Sequence, residues 1–159
     1  MSNKHDIHVL NELIGATLDS AERLDKASGD SESTGHSTLF ASLASERREM
    51  AQSLAETVRA LGGQPNDGGS ILAKAQRAVM DLSQAIMPAE AGIVGVADRG
   101  EAELDRRFEA AIKDERLAAT TRETLRRAHA AIHRETREVH DLHTSLESQR
   151  DVSSGLYPQ

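Results

Sequence analysis

Apolar residues recur along this chain at helical spacing, and four long stretches carry the pattern. In the first, Leu10, Leu13, Ile14, Thr17, Ala21 and Leu24 share one face, with Asp19 and Glu22 turned away. Asp6 is placed to cap that helix, and Met1–His5 reads as a frayed leader. Ser28-Gly29-Asp30-Ser31-Glu32-Ser33 has loop composition, with Ser33 as the next N-cap. The second helix runs to about Leu61 on a stripe of Phe40, Leu43, Met50, Ala51, Leu54, Val58 and Leu61. Gly62-Gly63 ends it and Pro65 prevents its resumption. A shorter helix is expected over Ser70–Met87, with Leu72, Ala75, Val79, Leu82 and Ile86 on one side. Ala91–Asp114 is the third long helix, on Ile93, Ala97, Gly100, Leu104, Phe108 and Ala111. A capping box, Thr120-x-x-Glu123, opens the last, which runs to about Ser148 on Leu125, Ala128, Ile132, Val139 and Leu146. Residues 1–148 form one bundle domain in this reading, and 149–159 a flexible tail.

Two charged residues break the stripes. Arg47 lies in the middle of the second, and Glu101 on the edge of the third. Gly100 beside Glu101 costs the helix about 1 kcal/mol relative to alanine, so it needs a packing reason. Counting depth along the helices puts Thr17, Arg47 and Glu101 at one level, with His129 to Thr136 near it. The pattern predicts a buried Arg47–Glu101 pair as a polar layer that fixes register.

Composition narrows the rest. The chain has 159 residues, 38% hydrophobic and only 2% aromatic, so the core is aliphatic and alanine-rich. A net charge of −7 argues against nucleic acid as a partner. No apolar run approaches a membrane span and no signal peptide is visible, so the expectation is a cytoplasmic protein. With no cysteine, thiolate sites and disulfides are excluded.

Several strings together resemble a bacterial four-helix-bundle family of unknown function and ferritin-like fold. They are Leu10-Asn11-Glu12-Leu13-Ile14, Leu61-Gly62-Gly63-x-Pro65 followed by Gly69-Ser70, Met80-Asp81-Leu82, Arg99-Gly100-Glu101 and His140-Asp141. The resemblance spans Leu10 to Leu146 and implies two helical hairpins joined by a long crossover. It brings no activity and no catalytic residue. It implies an acidic residue where this chain has Ala21, and so one inward carboxylate fewer.

The fold class expected is therefore an all-α, ferritin-like four-helix bundle with a helical crossover between the second and third long helices. Di-iron bundles of that architecture use Glu-x-x-His on two helices. No histidine here has a glutamate three positions before it, and Glu46-x-x-Glu49 faces away from the stripe. His129/His133 and His140/His143 have spacings that bind Zn²⁺ or Cu²⁺, but a third ligand is not apparent. His129 and His143 point inward, while His133 and His140 sit at the flank. No phosphate loop and no nucleophile with a His/Asp partner is legible. The function expected is non-catalytic, with no cofactor or small-molecule substrate. It works by protein partner binding or self-association, and the family resemblance alone suggests a stress-related role. Ala85, Ile86 and Met87 are candidates for a dimer surface. The alternative is a divergent iron or manganese carboxylate protein with Glu101, His129 and His143 as ligands.

Overall fold

The computed structural model describes residues 3–31, 35–68 and 90–155. They form four helices: α1 (Lys4–Asp30), α2 (Ser37–Ala60), α3 (Glu90–Ile112) and α4 (Ala119–Gly155). No strand occurs among the described residues. The apolar stripes read from sequence are the buried faces. Leu10, Ile14, Leu24, Phe40, Leu54, Val58, Phe108, Leu125, Ile132 and Val139 are all at most 1% exposed.

The bundle is assembled from two antiparallel hairpins, α1/α2 and α3/α4, with α1 also packed on α3. Contacts at one end fix the directions. Asn3 bonds to the carbonyl of Leu61, His5 to Asp114, and Asp6 to Thr121. The start of α1, the ends of α2 and α3, and the start of α4 therefore share that end. So α2 and α3 run parallel, the arrangement of a bundle with one long crossover. The expected Ser70–Met87 helix and the Ala85–Met87 surface lie outside the described residues.

The stop after α2 is a helix terminus with identifiable chemistry. Gly62 takes φ 86°, Gly62 N–H donates to Arg59 O at 2.9 Å and Gly63 N–H to Val58 O at 2.9 Å. This is a Schellman closure, which satisfies carbonyls the helix would leave open. The chain then folds back along α1. Asn66 N–H donates to Asn11 Oδ1 at 2.8 Å, and Asn11 Nδ2 to Gln64 O at 2.9 Å. Gly15 makes room for this, since a Cβ there would stand 2.9 Å from Asn66 Nδ2.

Several expectations at helix ends are corrected. α1 starts at Lys4 and continues through Ser28-Gly29-Asp30, so neither the frayed leader to His5 nor the loop from Ser28 exists as drawn. Ser28 Oγ donates to Ser37 O at 2.8 Å, tying the end of α1 to the start of α2. Asp6 does not cap α1. It lies in that helix's first turn and reaches across to α4, accepting from Ala118 N–H at 3.2 Å and Thr121 Oγ at 2.6 Å. A carboxylate there satisfies an N-terminal donor and opposes the positive end of the helix dipole. α4 begins at Ala119, which places Thr120 inside the helix rather than at its cap. Ser33 lies outside the described residues, and α2 opens at Ser37 after His36 without a side-chain cap. At the far end α4 runs on to Gly155, not Ser148, because Gln149 to Val152 contains no helix breaker.

Candidate functional site

Four polar side chains meet where the four inner faces cross mid-bundle. On α1 the stripe Ile14–Thr17–Leu24 carries Ser20, and on α2 Leu43–Ala51 carries Arg47. On α3 the stripe Ala97–Leu104 carries Glu101, and on α4 Ile132–Val139 carries Glu135. Each of the four lies three or four residues from an apolar core position on its own helix, so helical geometry turns it inward. Ser20 and Arg47 are 0% exposed, Glu101 1% and Glu135 6%.

The layer divides the core in two. One apolar cluster, including Leu10, Ile14, Leu54, Phe108 and Leu125, fills the end holding the α1 start. The other, including Leu24, Phe40, Leu43, Val94 and Val139, fills the opposite end. Between them Arg47 donates through Nε to Glu101 Oε2 at 3.1 Å, through Nη2 to the same oxygen, and through Nη1 to Glu135 Oε2. Ser20 Oγ donates to the other Glu101 oxygen, Oε1. Thr136 Oγ lies 3.4 Å from the Glu101 carbonyl oxygen. Thr17, expected in this layer, instead donates back to Leu13 O of its own helix at 2.7 Å. The depth count was one helical turn short, and Ser20 takes the place.

One guanidinium faces two carboxylates in a buried site. Burial alone would lower the Arg47 pKa, but Glu101 and then Glu135 outweigh it and hold the group charged. Glu135 is pushed up to about 7, first by burial and then by a hydrogen bond with the Glu46 carboxyl, against the pull of Arg47. With Glu135 protonated the buried layer holds one positive and one negative charge and is neutral. With it ionised the layer carries a net negative charge in a medium that penalises one. Glu46 itself is exposed. It stands at the rim of a groove of about 670 Å³ between α2 and α4, lined also by Glu49, Met50, Ala128, Arg134 and Glu135.

Gly100 has its packing reason, though the partner is not Arg47. A Cβ at Gly100 would clash with Nη1 of Arg23, whose guanidinium rests on the α3 backbone.

The histidines occupy a second region, the seam between α3 and α4. Asp98 Oδ2 is 3.1 Å from His140 Nδ1 and 2.9 Å from His143 Nδ1. Asp105 Oδ1 is 2.9 Å from His129 Nε2 and 3.2 Å from His133 Nδ1. Glu101, His129 and His143 are therefore not one cluster. Glu101 is bound to Arg47 and Ser20, and the two histidines lie fourteen residues apart on α4, about 21 Å at the helical rise. Each histidine takes its own aspartate from α3. Sequence reasoning missed Asp98, Asp105, Glu135 and Ser20. A signal for the aspartates was present. Asp98 and Asp105 are seven residues apart, as are His133 and His140, which matches them in an antiparallel pair.

The fold and its interior define an all-α four-helix bundle protein with a closed charge layer across its core. A family model described as Domain of unknown function (DUF2383) matches residues 5–114. The chain belongs to that family. The match spans α1, α2 and α3, and so includes Ser20, Arg47 and Glu101, while Glu135 and the α4 histidines lie beyond it. No curated protein and no solved structure matches the chain.

Proposed function

We propose that this protein is a non-catalytic helical bundle that acts through its outer surfaces, by contact with a protein partner or with further copies of itself. The observation that supports this is the saturation of the interior layer. Carboxylates from α3 and α4 converge on one point, as they would around a metal ion, and the guanidinium of Arg47 occupies that point. Ser20 takes up the remaining oxygen of Glu101. Within the layer, the polar side-chain atoms of Arg47 and Glu101 are taken up by each other, by Glu135 and by Ser20. The layer then serves register: a helix shifted by one turn would bury an unpaired charge, at a cost of several kcal/mol.

The same convergence motivates the alternative reading, a ferritin-like iron or manganese carboxylate protein in which a cation displaces Arg47. Oxidation of Fe²⁺ by the full-length protein in air separates the two. The non-catalytic reading expects a rate equal to that in buffer, unchanged by Glu101→Gln. Fe²⁺ oxidation that is faster with the protein and lost in Glu101→Gln would overturn it. Light scattering across a concentration series then reads the assembly state directly.

A further inference from the structure

Of the two aspartate–histidine clusters on the α3/α4 seam, one leaves a solvent-shielded ring nitrogen without a hydrogen bond. In the first, around Asp98, His143 Nδ1 is hydrogen-bonded to Asp98 at 2.9 Å and its Nε2 lies 3.2 Å from the Glu147 carboxylate. In the second, the Nε2 of His129 is shielded from solvent and has no aligned hydrogen-bond partner, although it stands 2.9 Å from Asp105 Oδ1. A buried ring nitrogen beside a carboxylate oxygen, but not hydrogen-bonded to it, is costly as a purely structural contact. It has the geometry of two ligands awaiting a third atom between them.

The third residue is His133. It lies four positions after His129, so both rings rise from one face of α4 with centroids 5.6 Å apart. One ligand atom from each of Asp105, His129 and His133 falls within 4.8 Å of the others. Among the described residues this is the one set of three such side chains gathered so closely. Bonds of about 2.0–2.2 Å in a tetrahedral site set neighbouring ligand atoms about 3.3 Å apart. The two Asp105 contacts, at 2.9 and 3.2 Å, already lie near that spacing. The position on the seam also gives access. The side chains of Asp105 and His129 are 16% and 22% exposed and rigidly based on helices, while His133 is 53% exposed and faces solvent.

We propose that Asp105, His129 and His133 form a surface site for a borderline divalent cation of the Zn²⁺ type, with water at the remaining position. Two imidazoles and one carboxylate suit such an ion and not Mg²⁺ or Ca²⁺, which take oxygen ligands. The site lies outside the interior layer and is independent of it. Binding requires both histidines to present a lone pair, so it releases protons and weakens as the solution is acidified.

The test is calorimetric titration of chelator-stripped, full-length protein with Zn²⁺ at neutral pH. Asp105→Asn, His133→Asn and, in the neighbouring cluster, His140→Asn are compared with the parent. His133 and His140 are both exposed, so their replacement leaves the core untouched. The expected result is one Zn²⁺ per chain, weakened at least about tenfold by Asp105→Asn and by His133→Asn and unchanged by His140→Asn. No stoichiometric uptake by the parent would overturn the proposal. So would parent-like affinity in His133→Asn, or an equal loss in His140→Asn.

Discussion

The interior layer and the α3/α4 seam are built from the same ingredients, carboxylates on α3 facing cationic or basic side chains on a neighbour, yet they differ in what surrounds them. Glu101 and Arg47 are sealed between two apolar clusters. Asp105 and Asp98 sit at a seam where one histidine of each pair reaches solvent. In the interior every displaced charge is costly, so the groups must satisfy each other completely and remain fixed. At the seam water reaches the exposed histidine of each pair, so the charges there cost less than in the interior, while the shielded Nε2 of His129 is left unbonded. Saturation makes the first region a structural device, and its absence makes the second a place for a ligand.

Breaking the layer should have the largest effect. Arg47→Met leaves Glu101 and Glu135 buried without their cation, and a loss of about 3–5 kcal/mol in urea unfolding is expected. His140→Asn on the seam should cost less than about 1 kcal/mol in the same measurement. Near-equal losses would erase the contrast between the two regions.

Glu135 sharpens it next. Its folded pKa of about 7 lies above the ordinary 4.5, so the folded state holds a proton that the unfolded chain releases. The stabilisation is complete below about pH 4.5, and declines through this window until it is lost above pH 7. The amount is on the order of 3 kcal/mol. Glu135→Gln copies the protonated form, with Glu46, Arg47 and Glu101 still around it. Thermal melts should show the variant more stable than the parent at pH 8 and equal to it at pH 4. A parent whose stability does not fall over that range relative to Glu135→Gln would contradict the neutral-layer argument.

A modest effect is expected at the bundle end. Asp6→Ala removes the acceptor for Ala118 N–H and Thr121 Oγ and should cost about 1 kcal/mol. Hydrogen exchange should locate the loss in the first turn of α4 rather than in α1, where Asp6 itself resides.

What could be read from the chain before folding follows the same division. Arg47 and Glu101 stood out because a charge on an apolar stripe violates a one-dimensional pattern, and that pattern is local. Glu135 also sits on its stripe, between Ile132 and Val139, but the adjacent Thr136 and histidines drew the inward reading away from it. Ser20 is small and polar and reads equally well on either face. The seam clusters required knowing how α3 and α4 align across from each other, which no single helix encodes. The cap on α4 was missed for a related reason: its acceptor, Asp6, comes from more than a hundred residues earlier. Helix interiors were legible because periodicity repeats. The stop after α2 was legible from Gly62-Gly63, but the ends of α1 and α4 were not, because Ser28-Gly29-Asp30 and Gln149 to Val152 carry weak signals that tertiary contacts or plain propensity can override.

The central claim is that Arg47 and Glu101 hold each other in place. A double-mutant cycle tests it most directly, with urea unfolding of Arg47→Met, Glu101→Leu and the two combined. If the pair is a self-satisfied layer, the combined variant should be more stable than either single variant, since no charge is left stranded between them. Losses that simply add would show that the two residues are stabilised by something other than each other, and the account of the interior would fail.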